Sequence, residues 1–217
     1  IESAIISLSD PQFQGNRRIG NASLGLLRNL LLNSNDIRLF FINNRGIELF
    51  SMLYFELTNP SLNHCILWIL HNSLLVEPVQ PIEIFAPIEK LFKMKGVTAL
   101  EIGLAIAYVK VHPSYALSFI ENVRFEIVTS SIEYAHPDTQ LAILDLLEIL
   151  ALYPDNTVAE NVFGRIMWEQ VYIKIPEIGY SKLSKKLITI AAHFFEVHYK
   201  HVLDTFIVDA LLIIYST

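Results

Sequence analysis

The sequence predicts an all-α protein whose helices stack as repeats, and three observations lead to this prediction. Apolar residues recur at the i, i+3, i+4, i+7 spacing of a helix face, for example through Phe50, Leu53, Tyr54 and Leu57. Glycine is sparse, at 8 of 217 residues, and alternating segments bounded by turn pairs are absent from the sequence. Segments that break helices recur at a nearly constant distance, which is typical of a chain built from similar units.

The spacing of these breaks suggests the size of one unit. The breaks are Thr58–Ser61, Met94–Val97, Ala135–Asp138 and Ile178–Ser181. From Pro60 to Gly96 to Pro137 to Gly179 the steps are 36, 41 and 42 residues, and Ser9–Pro11 begins an earlier unit. A period of roughly 40 residues with two or three helices in each unit is typical of armadillo and HEAT repeats.

The order of helices inside one unit separates these two repeat types. The sequence predicts a short first helix, a glycine turn and two longer helices, at Asp36–Asn43, Asn44–Gly46, Ile47–Leu57 and Leu62–Leu75. This order favours a right-handed armadillo-type superhelical solenoid of about five three-helix repeats. We expect a single domain with repeats at about 1–33, 34–76, 77–112, 113–154 and 155–217. The best strand candidate, Phe125–Ile132, also fits a helix.

Composition and charge narrow the functional classes. Hydrophobic residues make up 53% of the chain, but charges interrupt the most apolar windows, so we expect no membrane-spanning segment. The formal charge of −6 argues against a protein that binds nucleic acid by neutralising phosphates, and weakly favours a cationic partner. The single cysteine, Cys65, fits a reducing compartment. Because the chain starts at Ile1 rather than Met, we expect a fragment of a longer protein.

Trp68 and Asn72 are the most informative pair in the sequence. Their four-residue spacing puts both side chains on one face of a helix. An Asn side chain both donates and accepts hydrogen bonds, so it can bind the backbone of an extended peptide. An indole beside it offers a flat wall for the stem of a lysine and attracts the ammonium by about 0.5–2 kcal/mol. The pair could therefore form a peptide clamp.

These residues resemble the importin-α (karyopherin-α) family, the armadillo adaptors that carry nuclear localisation signals. The third helices of that family carry Trp-x-x-x-Asn on the concave surface, and Ile66–Asn72 matches this pattern. One unit later, Leu104–Val109 is similar to a family third helix with Tyr108 in the Asn place, and Ala116–Arg124 is similar to the next first helix and turn. The resemblance in repeat arrangement covers about residues 9–216.

The resemblance implies an adaptor that binds a basic nuclear localisation signal in a concave groove for nuclear protein import, in the cytoplasm and nucleus and without a cofactor. The implied peptide-binding residues are Asn29, Trp68, Asn72, Glu101, Leu104 and Tyr108. Glu101 shares a helix face with Leu104 and Tyr108 and is the candidate for pairing with a lysine. Importin-β is a further implied partner, through a basic segment that is absent here; nucleic acid and membrane are not implied partners.

The sequence departs from the family pattern in most units. The paired positions of the other units are held by Gly25 and Asn29, by Leu104 and Tyr108, by Leu144 and Glu148, and by Ile188 and Ala192. The second cargo site of the family, nearer the C-terminus, is therefore in doubt. The loss of these tryptophans favours an alternative function, a non-transport armadillo scaffold that binds another protein partner.

Each candidate residue also has a structural explanation. Trp68 could fill a helical core, and Asn72 could bind a neighbouring loop carbonyl. Tyr108 could be partly buried with its hydroxyl at the surface, and Asn29 could bond to Asn33, Asn35 or the adjacent turn. Glu101 lies near the start of its helix, where the helix dipole favours a carboxylate.

Signs of catalysis are weak. His193, His198 and His201 cluster around Glu196, but only His198 and His201 have the spacing of helix neighbours, so a metal site is a distant alternative. The chain has no glycine-rich phosphate loop, no Gly-x-Ser-x-Gly and no His-Glu-x-x-His. The sequence therefore predicts that the protein is not an enzyme.

Overall fold

The part of the chain described by the computed structural model is mostly α-helical, as the apolar periodicity of the sequence predicts. This part comprises residues 17–93, 98–123 and 135–155, with the separate positions 132, 157–158, 161, 182–183, 185–186 and 189–190. Within it we find eight longer α-helices, one short 3₁₀-helix and no strand. The all-α prediction is confirmed for these residues. The predicted breaks at Met94–Val97 and Ile178–Ser181, the strand candidate before Ile132, and the histidines near the C-terminus lie outside them.

The chain divides into two compact units, residues 1–92 and 93–217. The helices of the first unit are α1 (Arg17–Asn33), α2 (Asn35–Asn43), α3 (Gly46–Glu56), α4 (Pro60–Ser73) and α5 (Ile82–Glu89), and a 3₁₀ turn follows at Lys90–Lys93. The short first helix, the turn at Asn44–Arg45 and the two longer helices predicted between residues 36 and 75 are confirmed, with bounds that differ by at most two residues.

Local signals explain where these helices begin. The Ser34 hydroxyl accepts a hydrogen bond from the Ile37 backbone N–H at 3.3 Å and caps α2. Asn59 caps α4 in the same way, and Pro60 occupies the first turn, where it has no N–H to leave unsatisfied. Gly46 opens α3 because a Cβ at this position would lie 2.5 Å from the Phe41 ring.

Packing in the first unit is organised around α1 and α4. α4 packs against both α1 and α3, and α3 packs in turn against α5. The core includes the fully buried Leu31, Phe41, Phe50, Ile66 and Leu70. Complete burial of such a side chain stabilises the fold by about 1.5–3 kcal/mol. The apolar faces predicted from the sequence therefore become the contacts between these helices.

The second unit begins its helices with caps that the sequence also contains. Its helices are α6 (Ala99–Val111), α7 (Pro113–Asn122) and α8 (Pro137–Ala151). Both α7 and α8 start with a His-Pro pair, in which the imidazole Nδ1 of His112 or His136 accepts a backbone N–H two residues later. α6 packs against both α7 and α8.

The two units share one packing arrangement. In the first, α4 lies against α1, and the Asn72 amide donates a hydrogen bond of 2.9 Å to the Arg28 carbonyl. In the second, α8 lies against α6, and the Tyr153 hydroxyl donates a hydrogen bond of 2.9 Å to the Val109 carbonyl. Each bond spans 44 residues; Asn72 lies in the last turn of α4, whereas Tyr153 lies just after the end of α8.

Candidate functional site

Trp68 lies on a partly exposed face of α4, between two histidines. We call the surface formed by His64, Trp68 and His71 the α4 face. The indole Nε1–H donates a hydrogen bond of 3.1 Å to His64 Nε2. The Trp68 ring centroid is 5.2 Å from that of His71 and 6.5 Å from that of His64, with both pairs in edge-to-face orientation. The indole is therefore held in one orientation with part of its surface open to solvent.

The position of the α4 face follows from helix geometry. Ile66 and Leu70 are fully buried and face the core of the first unit. Trp68 is two residues from each of them, which turns it to the opposite side of a helix with 3.6 residues per turn. His64 and His71 lie four residues before and three residues after Trp68, so they share its side. The bulk of the indole is thus used at the surface of α4 rather than in its core.

Asn72 is placed differently from Trp68. Its side chain is only 3% exposed, and its Nδ2 donates to the Arg28 carbonyl of α1. Its Oδ1 lies 3.4 Å from His71 Nδ1. A buried amide that loses such a bond costs about 1–3 kcal/mol, so the carboxamide is committed to holding α1 against α4. Of the interpretations of Asn72, binding of a neighbouring carbonyl matches its contacts, although that carbonyl belongs to a helix rather than a loop.

Asn29 is exposed and lies next to this junction on α1. Its Oδ1 accepts hydrogen bonds from the Arg28 guanidinium, at 3.3 Å from Nη2 and 3.4 Å from Nε. One turn earlier, a Cβ added to Gly25 would meet nothing within 4 Å. The position at which a tryptophan would partner Asn29 is therefore open space. Asn29 and Trp68 are the two predicted site residues that keep accessible surface.

Glu101 is occupied at the start of α6. It is 6% exposed, and its Oε2 accepts the Thr98 backbone N–H at 2.6 Å. The Thr98 hydroxyl in turn accepts the Glu101 backbone N–H at 3.3 Å, which completes a capping box. The carboxylate thus serves the helix start, the alternative that its position suggested. It does not offer the surface carboxylate that pairing with a lysine requires.

Leu104 and Tyr108 belong to the core of the second unit. They are 1% and 0% exposed. The Tyr108 ring packs against Tyr115 at 5.1 Å and Phe119 at 6.3 Å, both from α7. The prediction that they lie on an exposed peptide-binding wall is therefore wrong. They are buried because α7 packs over this side of α6. Leu144, one unit later, is also fully buried.

The electrostatics around the indole differ from those of a lysine clamp. The groups that border it are the imidazoles of His64 and His71. Arg28, whose carbonyl receives the Asn72 amide, brings a guanidinium to the neighbouring helix surface. Imidazole and guanidinium groups are neutral or positive and never negative. They suit the acceptor groups of a partner better than its ammonium groups.

Sequence reasoning missed an opening in the second unit. A pocket of about 590 Å³ lies where α6 and α8 end, and it is lined by Lys110, Pro113, Glu148, Ile149, Leu152, Tyr153, Pro154 and Asp155. The run Tyr153-Pro154-Asp155 after a strongly apolar helix was the one available signal. The pocket itself depends on the pairing of α6 with α8, which no local motif reveals.

Two kinds of feature are absent from the described residues. No helix there combines the length and apolar character needed to cross a membrane. Nor do the described His, Cys, Asp and Glu side chains form a group of three that could hold a metal ion.

No family model, curated protein or solved structure matches this chain.

Proposed function

We propose that this chain is part of an armadillo-type scaffold that binds a protein partner through the α4 face. The observation that carries the proposal is the partly exposed Trp68, held between His64 and His71 on the third helix of its repeat. Tryptophan at an accessible position is the residue type most often found at the energetic centre of protein interfaces. Restraint by the two imidazoles reduces the entropy that the indole would lose on binding.

The packing of equivalent helices supports the repeat architecture. In an armadillo array the third helix of one repeat stacks on the third helix of the next, which matches α4 on α1 in one unit and α8 on α6 in the other. The bonds from Asn72 and Tyr153, each to a carbonyl 44 residues earlier, fit a repeat of roughly 40 residues.

The two imidazoles of the α4 face and the guanidinium of Arg28 on the neighbouring helix favour a partner with acidic or neutral character. The proposal is tested with arrays of capped peptides graded from net negative to net positive charge, probed with the wild-type chain and with Trp68→Ala. We expect binding to neutral or acidic peptides that Trp68→Ala removes and that Met52→Ala retains. Met52 is the matched control because it is 53% exposed and lies on α3 of the same unit. Equal binding by Trp68→Ala and the wild type would rule out the α4 face as the binding surface.

An importin-α-like adaptor for a basic nuclear localisation signal is the second candidate. It is favoured by Trp68 together with the exposed Asn29 and the open space at Gly25. Importin-β would then be a further partner, and the protein would act between cytoplasm and nucleus. Titration with a lysine-rich peptide separates the candidates: the adaptor requires binding that weakens with salt and is lost in Trp68→Ala. Absence of such binding would remove this candidate and leave the scaffold.

A further inference from the structure

The pocket at the ends of α6 and α8 lies within the second unit. We propose that it binds a primary amine or guanidinium carried on an apolar stem, the chemistry of a lysine or arginine side chain. The site is distinct from the α4 face, which lies in the first unit, and does not depend on the function proposed for that face.

The shape and lining of the pocket suit an apolar stem. Its volume of about 590 Å³ lies within the range of about 300–1,000 Å³ that is usual for ligand sites. Pro113, Ile149, Leu152 and Pro154 form its apolar walls. Methylene groups of a long basic side chain are stabilised by such walls while the charged head remains near water.

The charges around the pocket favour a cation. Glu148 and Asp155 line it, and one ammonium, that of Lys186, is shared between Glu148 and Asp145, at 2.9 Å from the latter. One cation between two carboxylates leaves one negative charge uncompensated, and Asp155 adds another. The C-terminal ends of α6 and α8 also meet at the pocket, and their terminal carbonyls contribute partial negative charge.

Two features reduce the negative electrostatic potential of the pocket. Lys110 is exposed at the rim, and α7 begins at Pro113 with the positive end of its dipole. Counted with Lys186, the described side chains around the pocket carry three negative and two positive charges. The balance is negative, so Lys110 is expected to weaken binding of a cation. This gives the proposal a test in which one substitution strengthens binding.

The pocket is held in shape before any ligand binds. The Tyr153 hydroxyl is fixed to the Val109 carbonyl at 2.9 Å, and Asp155 Oδ1 accepts the Thr157 backbone N–H at 2.8 Å. The Tyr153 bond ties the segment after α8 to α6, and the Thr157 bond fixes the Asp155 carboxylate within that segment. Among the described residues, only Oδ1 of this carboxylate accepts a hydrogen bond, which leaves its second oxygen for a ligand. A preformed site avoids the ordering cost that weakens binding to mobile loops.

The test is an NMR titration of the whole chain with a capped Gly-Gly-Lys-Gly-Gly peptide and with hexylamine. The same two probes with the amine acetylated serve as controls. We expect both amines to shift resonances of Tyr153 and Ile149, and the acetylated probes to bind at least about fivefold more weakly. If hexylamine binds as tightly as the peptide, the natural ligand is a small amine; tighter binding of the peptide points to a protein partner. Equal binding of the free and acetylated probes would overturn the proposal.

Charge variants complete the test. Asp155→Asn keeps the oxygen that accepts the Thr157 N–H and should weaken amine binding by about twofold to fivefold, whereas Lys110→Glu should strengthen it by a similar factor. Lys90→Glu, an exposed lysine of the first unit, is the matched control and should change nothing. Misfolding cannot imitate the gain expected for Lys110→Glu. Unchanged or weaker binding by that variant would overturn the assignment of a cation site.

Discussion

The α1–α4 pair and the α6–α8 pair follow the same packing arrangement but present different chemistry. In both, a side chain at or just after the end of the later helix donates to a carbonyl 44 residues earlier. In the first pair an aromatic residue, Trp68, lies at the surface between two histidines. In the second, Tyr108 is sealed in the core, and the opening lies at the helix ends instead.

The composition of each helix explains this difference. α4 carries polar residues on one side, including His64 and His71, so that side remains at the surface. α6 is apolar almost all round between Leu104 and Val109, and such a helix is usually buried on most sides. The presence of an aromatic residue in the helix motif therefore does not determine function by itself, because neighbouring residues decide whether the ring faces solvent or core.

The largest expected effect comes from truncating the sealed aromatic. Tyr108→Ala should lower the free energy of unfolding by about 3–5 kcal/mol because it leaves a cavity among Tyr115 and Phe119. Trp68→Ala should lower it by about 1–3 kcal/mol because the indole is already partly in water. Denaturant unfolding followed by circular dichroism measures both, with the exposed Phe55→Ala as control. An equal or larger loss for Trp68→Ala would contradict the distinction between a surface and a core aromatic.

The two hydrogen bonds that span 44 residues offer a more direct comparison. Asn72→Ala should lower the free energy of unfolding by about 1–3 kcal/mol, and Tyr153→Phe by about 0.5–1.5 kcal/mol. The first value is larger because the Asn72 amide is buried, whereas Tyr153 is only partly buried. Hydrogen exchange should locate each loss in its own unit. If neither variant changes stability, the shared bond is not a device that holds paired helices together.

The sequence was sufficient for local features and insufficient for pairing between helices. The starts of α2 and α4 follow from Ser34, Asn59 and Pro60, which act within one turn of the helix. The capping box of Thr98 and Glu101 was equally readable, and it accounts for a carboxylate that the resemblance assigned to lysine binding. The roles of Asn72 and Tyr153 depend on partners 44 residues away, and only the folded chain determines which carbonyl each one meets.

High pH should lower the free energy of unfolding of the second unit, where Tyr153 and Lys186 bond to α6 and α8. Burial, and then the nearby Asp155 carboxylate, raise the pKa of Tyr153 above its ordinary 10.0. Burial lowers the pKa of Lys186, but its hydrogen bonds to Glu148 and Asp145 outweigh this and raise that pKa above the ordinary 10.5. Both groups hold their proton more tightly in the folded state than in the unfolded state. The stability they provide is therefore fully present below pH 10.0 and is lost as the pH rises through the folded pKa values.

Denaturant unfolding of wild type and Tyr153→Phe across this range measures the effect. Because phenylalanine cannot ionise, the fall in stability above pH 10.0 should be shallower in the variant. Glu83→Gln, an exposed carboxylate of the first unit, should leave the slope of the wild type unchanged. Parallel curves for wild type and Tyr153→Phe would contradict a raised pKa for this phenol.

The smallest expected effect concerns one glycine in each pair. Gly25 lies inside α1 and Gly103 inside α6, and a Cβ added to either would meet nothing within 4 Å. Alanine restricts the unfolded chain more than glycine does, so Gly25→Ala and Gly103→Ala should each raise the free energy of unfolding by about 0.5–1 kcal/mol. Thermal unfolding of the single and double variants tests this, with additive gains expected because the sites lie in separate units. Gly46→Ala is the contrasting control, since its Cβ would collide with Phe41 and stability should fall. A loss for Gly25→Ala would mean that the surface beside Asn29 is filled rather than open, and would count against the importin-α-like candidate, which relies on that open space.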